Sequence, residues 1–136
     1  MKLLFSSLLM VFCIPLAGQS SDGLTFVDVY AGEPCVYYWC PNWAGTGTAC
    51  QDADVMLICG RDTLRGVSPK LGSGAPLRFS GLRAGSVCKV VLSKPGFTVD
   101  EKTFTLPKEG YNCMPMIRRK DGKVLHVNAD RTMEYK

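Results

Sequence analysis

Apolar and polar residues alternate in short runs along this chain, and Gly, Pro, Asn and Asp punctuate the runs. That pattern predicts β-strands. Residues 24–30 set Leu24 and Phe26 against Thr25, Val27 and Val29, and residues 35–40 are aromatic and β-branched. Residues 54–59 form a short apolar run of the buried-strand type. Strands are also expected at 77–79, 86–93 and 98–106, with turns at 81–85 and at Lys94-Pro95-Gly96. Residues 113–118 and 123–127 flank Asp121-Gly122 and predict a tight hairpin, and 132–135 an edge strand. Residues 41–49, with Pro41, Gly45 and Gly47, read as a loop. Residues 60–76, with four Gly and two Pro, read as a long irregular connection.

No segment sustains an apolar repeat at helical spacing with credible caps. Fourteen Gly and eight Pro leave little room for long helices. Seven or eight short strands therefore predict an all-β fold, a small disulfide-stapled antiparallel β-sandwich or partly open barrel.

The N-terminus changes the picture. Lys2 is followed by an apolar run from Leu3 to Leu16 and a small-residue exit at Ala17-Gly18. The run is too short to span a bilayer and reads as a secretory signal peptide, residues 1–18. Residues 19–136 then form a single cysteine-rich β domain, secreted and extracellular. Cys13 leaves with the peptide. Cys35, Cys40, Cys50, Cys59, Cys88 and Cys113 remain, an even number in an oxidising compartment, so three disulfides are expected. Six cysteines allow 15 pairings. Long-range bridges from the 35–50 segment to the strands of Cys59, Cys88 and Cys113 are the expected set. Zinc is disfavoured, because no Cys-x-x-Cys pair occurs and His126 is the only histidine. No cofactor or metal is expected.

Charge is divided along the chain. Residues 19–59 carry five acids and no base, whereas residues 60–136 carry fifteen bases and seven acids. Loss of Lys2 lowers the formal +4 to +3. The densest basic cluster is Arg118, Arg119, Lys120 and Lys123, read as a solvated hairpin tip or a binding face. Nucleic acid is not an expected partner. No Asn-x-Ser/Thr sequon, second apolar span or lipid anchor is present. A monomer is expected.

Catalytic patterns are sparse. His126 reads as a strand histidine, with a ribonuclease-like base assisted by Glu134 or Glu109 and Arg131 as the sharper alternative. Asp52 with Asp54, and Asp100 with Glu101, lack a glycosidase or calcium-loop setting. Gly72-Ser73-Gly74 and Gly45-Thr46-Gly47 precede no helix start and support no phosphate loop. The strongest binding signal is aromatic: Tyr37, Tyr38, Trp39 and Trp43 within seven residues. Such rings suit a sugar or a protein partner. On an extended strand Tyr37 and Trp39 share one face, expected to pack inward, leaving Tyr38 and Trp43 for the surface.

Two resemblances follow. Val55-Met56-Leu57, Leu77 to Leu82, Ala84 to Leu92 and Lys94-Pro95-Gly96-Phe97, with Gly32-Glu33-Pro34 earlier, resemble carboxypeptidase-regulatory or prealbumin-like sandwich domains. The likeness covers residues 24–106 and implies a structural or binding role. The signal, size, six cysteines and Tyr38-Trp39-Cys40 resemble small cysteine-rich effectors of plant-associated fungi. That resemblance implies a non-enzymatic protein that binds a host protein and modulates host immunity. A module for cell-wall polysaccharide is the alternative.

Overall fold

The computed structural model describes residues 23–70 and 75–136, with the backbone alone over 40–49. The segment read as a signal peptide, with Cys13, and Gly72-Ser73-Gly74 lie outside the described residues. The fold is all-β, with no helix among the described residues, and its sheets do not close into a barrel. The described residues form eleven strands: β1 Leu24–Val29, β2 Gly32–Tyr37, β3 Cys40–Ala49, β4 Asp54–Cys59, β5 Asp62–Val67, β6 Leu77–Arg83, β7 Val87–Ser93, β8 Asp100–Thr105, β9 Tyr111–Cys113, β10 Leu125–Val127 and β11 Met133–Tyr135. They make three sheets, ordered β6-β1-β9, β11-β10-β2-β3 and β5-β4-β7-β8.

Period-two alternation builds the core. In β4 Val55, Leu57 and Cys59 are buried, and in β7 Cys88, Val90 and Leu92 are. The register sets Val55 opposite Leu92, Leu57 opposite Val90 and Cys59 opposite Cys88. This inward row meets Val27 and Val29 of β1, Phe79 and Leu82 of β6, and Leu106, Cys113 and Ile117 in one apolar cluster. Burying such a row supplies the main driving force for the fold.

The β11-β10-β2-β3 sheet is assembled differently. β9 runs parallel to β1, residues 115–117 bond across to Gly32, and β10 then runs parallel to β2. The C-terminal strand β11 closes this sheet against β10 as an edge, as expected.

Several expectations are corrected. Residues 41–49 are not a loop but most of β3, because β2 supplies a pairing partner that overrides their Gly-rich composition. Residues 60–76 contain β5, a full antiparallel partner of β4. β6 continues through Gly81 to Arg83, so the turn falls at Ala84-Gly85. Gly122 adopts a turn conformation (φ 80°), yet residues 113–118 and 123–127 do not form a hairpin. β10 takes β11 and β2 as partners instead.

The expected pairing of cysteines also changes. Cys59 and Cys88 face each other on adjacent strands and form a disulfide with one another, so neither is available to the 35–50 segment. Cys35, Cys50 and Cys113 are separate buried thiols. The side chain of Cys40 lies outside the described residues.

Candidate functional site

Two surface features stand out, at opposite ends of β2. The first is the β2–β3 connection. Tyr37 pairs with Cys40, so Tyr38 and Trp39 form the two-residue turn between the strands. The strand expected to run through Cys40 therefore ends at Tyr37, and the inward packing expected of Trp39 is overturned. Trp39 is 63 % exposed and Tyr38 56 %. Tyr37, half-buried, stacks on Trp39 with ring centroids 4.5 Å apart, and Tyr38 meets Trp39 edge-on at 4.9 Å. Three rings thus order one another in an exposed cluster. The backbone of Trp43 lies in β3, and its side chain is outside the described residues.

The second feature is a cleft between the start of β2, the turn at 94–97 and the loop leading into β10. It is a cavity of about 110 Å³, lined by Glu33, Phe97, Arg118, Arg119, Lys123 and Tyr135 among others. Glu33 lies at its floor and is only 4 % exposed. Its Oε1 accepts a hydrogen bond of 2.8 Å from the Tyr135 hydroxyl, and its Oε2 faces the Cys50 thiol at 3.7 Å. Burial, followed by the Glu33 charge, pushes the Cys50 thiol up to about 12. Burial also raises Tyr135, with the Glu33 hydrogen bond adding to it, so both donors keep their protons at neutral pH.

Arg119 roofs this floor. Its guanidinium lies 4.4 Å above the Tyr135 ring and 5.9 Å from Phe97. Asp121 holds it by a fork of hydrogen bonds, Nε to Oδ1 at 3.0 Å and one terminal nitrogen to Oδ2 at 2.6 Å. That contact, with the Lys123 N–H, holds the Asp121 carboxyl down at about 2. Arg118 and Lys123 are exposed at the rim and have no ion pair among the described residues. The structure therefore brings Arg118, Arg119 and Lys123 to one cleft, with Lys120 exposed beside them. Sequence reasoning missed Glu33, Tyr135 and Phe97. The isolated acid Glu33 in an otherwise apolar stretch was the available signal.

The remaining candidates are dispersed. His126 lies opposite Glu134 in the β10–β11 register, and its Nδ1 is 2.9 Å from the Val124 carbonyl. Glu134 is engaged by Lys136 at 3.2 Å and by Asn128. Asp52 and Asp54 are exposed, Asp52 in a turn with φ 57°. Asp100 accepts the Met116 N–H, and Glu101 pairs with Lys89. No group of three or more His, Cys, Asp or Glu with metal-holding geometry occurs among the described residues. No helix among them is long and apolar enough to cross a membrane. No family model, curated protein or solved structure matches the chain.

Proposed function

We propose that this chain is a secreted, non-enzymatic binding protein that engages a host protein through the Tyr37-Tyr38-Trp39 tip and thereby modulates host immunity. The carrying observation is the 63 % exposure of Trp39 inside a self-ordered aromatic cluster. An indole left in water at a turn contributes little to folding, whereas Trp and Tyr are the residues that most often dominate protein interfaces. Their few rotatable bonds, restricted further by stacking, lower the entropy lost on docking.

Carbohydrate is the second reading. The parallel stack of Tyr37 and Trp39, tilted by 25°, presents a flat face of the kind that a sugar ring covers.

The test is expression of residues 19–136 in leaf tissue, with and without a secretion signal, followed by scoring of defence responses and recovery of bound proteins. The wild-type chain is expected to alter the response in one compartment, and Trp39→Ala to abolish the change while melting at the same temperature. Absence of any response in both compartments would overturn the host-protein reading. Retention on chitin or glucan, lost in Trp39→Ala, would move the assignment to carbohydrate.

A further inference from the structure

We propose that the Glu33 cleft binds a sugar acid, a polyhydroxylated carboxylate whose hydroxyls bond to Glu33 and whose carboxylate meets Arg118 and Lys123. The proposal stands on the spare bonding capacity of three residues and is independent of the aromatic tip. Glu33 and Tyr37 are four residues apart on one strand, roughly 13 Å along it, so the tip is not part of this cleft.

The floor comes first. A carboxylate has about four acceptor positions. Glu33 uses one for the Tyr135 hydroxyl and has a single long contact, to a thiol, at Oε2. Among the described residues it has no ion pair within 4 Å, and the charge that reaches it is that of Arg119, already held by Asp121; for a residue only 4 % exposed this is unusual. The carboxylate of this lining residue therefore has acceptor positions beyond those that Tyr135 and Cys50 use.

The rim has the opposite character. Asp121 neutralises Arg119 and fixes it over Tyr135, so Arg119 acts as wall rather than free cation. Arg118 and Lys123, both exposed and without ion pairs among the described residues, line the same cavity. Phe97, Val124 and Leu125 add apolar wall between floor and rim. One water needs about 10–15 Å³ of such space, so the cavity of about 110 Å³ accepts several waters or a small organic ring.

These features discriminate among ligands. A simple oxyanion satisfies the rim and is repelled by Glu33. An amine satisfies Glu33 and is repelled by the rim. A neutral sugar donates to Glu33 and leaves both cations unused. A sugar acid satisfies both ends, with charge-assisted hydrogen bonds at each.

Galacturonic acid, glucuronic acid, a short oligogalacturonide, galactose, glucosamine and inorganic phosphate are titrated into residues 19–136 at neutral pH. Calorimetry and amide chemical shifts are the readouts. Binding of a uronic acid on the order of millimolar is expected, with shifts centred on Val124, Leu125 and Tyr135. The double variant Arg118→Ala, Lys123→Ala alters only exposed side chains and is expected to weaken binding about tenfold or more. Glu33→Gln is expected to weaken it as well, and the exposed double variant decides the matter if Glu33→Gln fails to fold.

Tighter binding of the oligomer identifies a polymer as the source, and equal binding identifies the free acid; both support the proposal. Phosphate binding as tightly as the uronic acids would reduce the cleft to a plain anion patch and overturn it. So would galactose binding equally well, preferential binding of glucosamine, or no shift at millimolar uronate.

Discussion

The β5-β4-β7-β8 sheet and the β11-β10-β2-β3 sheet belong to the same fold but are held by different physics. The first is antiparallel throughout, and its strands pair without a register shift. The inner face of its two central strands is a row of apolar cross-strand pairs. The second joins β10 to β2 in parallel and shifts register twice between β2 and β3. It buries the Glu33 carboxylate, ends in a turn where Tyr38 and Trp39 are exposed, and borders the loop that carries the basic rim. Apolar area stabilises the first sheet without regard to direction, whereas the second depends on a few directional contacts. Both candidate recognition surfaces lie on the second, where irregular pairing leaves backbone and side chains free to take special positions.

The sharpest way to break this contrast is Leu57→Ala. Leu57 is fully buried opposite Val90 at the centre of the first sheet. Removing its branched side chain is expected to cost about 2–5 kcal/mol, read from urea unfolding of residues 19–136. A cost well below that would mean that the β4–β7 row is not the main source of stability.

A smaller effect is expected on the other side. Tyr135→Phe keeps the ring beneath Arg119 and removes only the hydroxyl that donates to Glu33. Leaving that buried oxygen short of a partner is expected to cost about 1–3 kcal/mol. Hydrogen exchange should quicken in β10 and β11 before it does in β4 and β7. Equal acceleration in both sheets would show that the two regions unfold as one and erase the distinction.

The same contrast explains what could be read from the residues. β4 and β7 were legible because each inward residue is apolar and the alternation along each strand is unbroken. β5 was hidden among glycines, although Gly60, with φ 59°, sits in the two-residue link that pairs Cys59 with Asp62. Its turn chemistry was the overlooked signal. β3 has a composition that repels strand assignment, and only its pairing with β2 makes it one. The Tyr38-Trp39 turn contains none of the Gly, Asn or Asp that announces a tight turn. No local motif marks Glu33 as part of a site, because its partner Tyr135 lies 102 residues further along the chain. Contacts of that separation are products of topology, and local periodicity does not encode them.

The smallest expected effect concerns the rim and separates it from the floor. Hydrogen bonds from Arg119 and from the Lys123 N–H hold the Asp121 carboxyl at about 2, below the ordinary 3.8. A carboxyl lowered on folding adds stability that is fully present above its ordinary value and is lost as pH falls through the lowered one. The Arg119–Asp121 clamp should therefore persist at pH 3, where unpaired surface carboxylates are already protonating, and release only near pH 2. Both partners are at the surface, so little change in unfolding temperature is expected from Asp121→Asn. Its effect should appear instead in the Arg119 side-chain resonances, which sense the Tyr135 ring current while the clamp holds. If those resonances move near pH 4 in the wild-type chain, Asp121 does not fix the roof of the cleft. If they hold until pH 2 and Asp121→Asn shifts them at neutral pH without moving the melt, the rim is an electrostatic device placed upon a floor that stands without it.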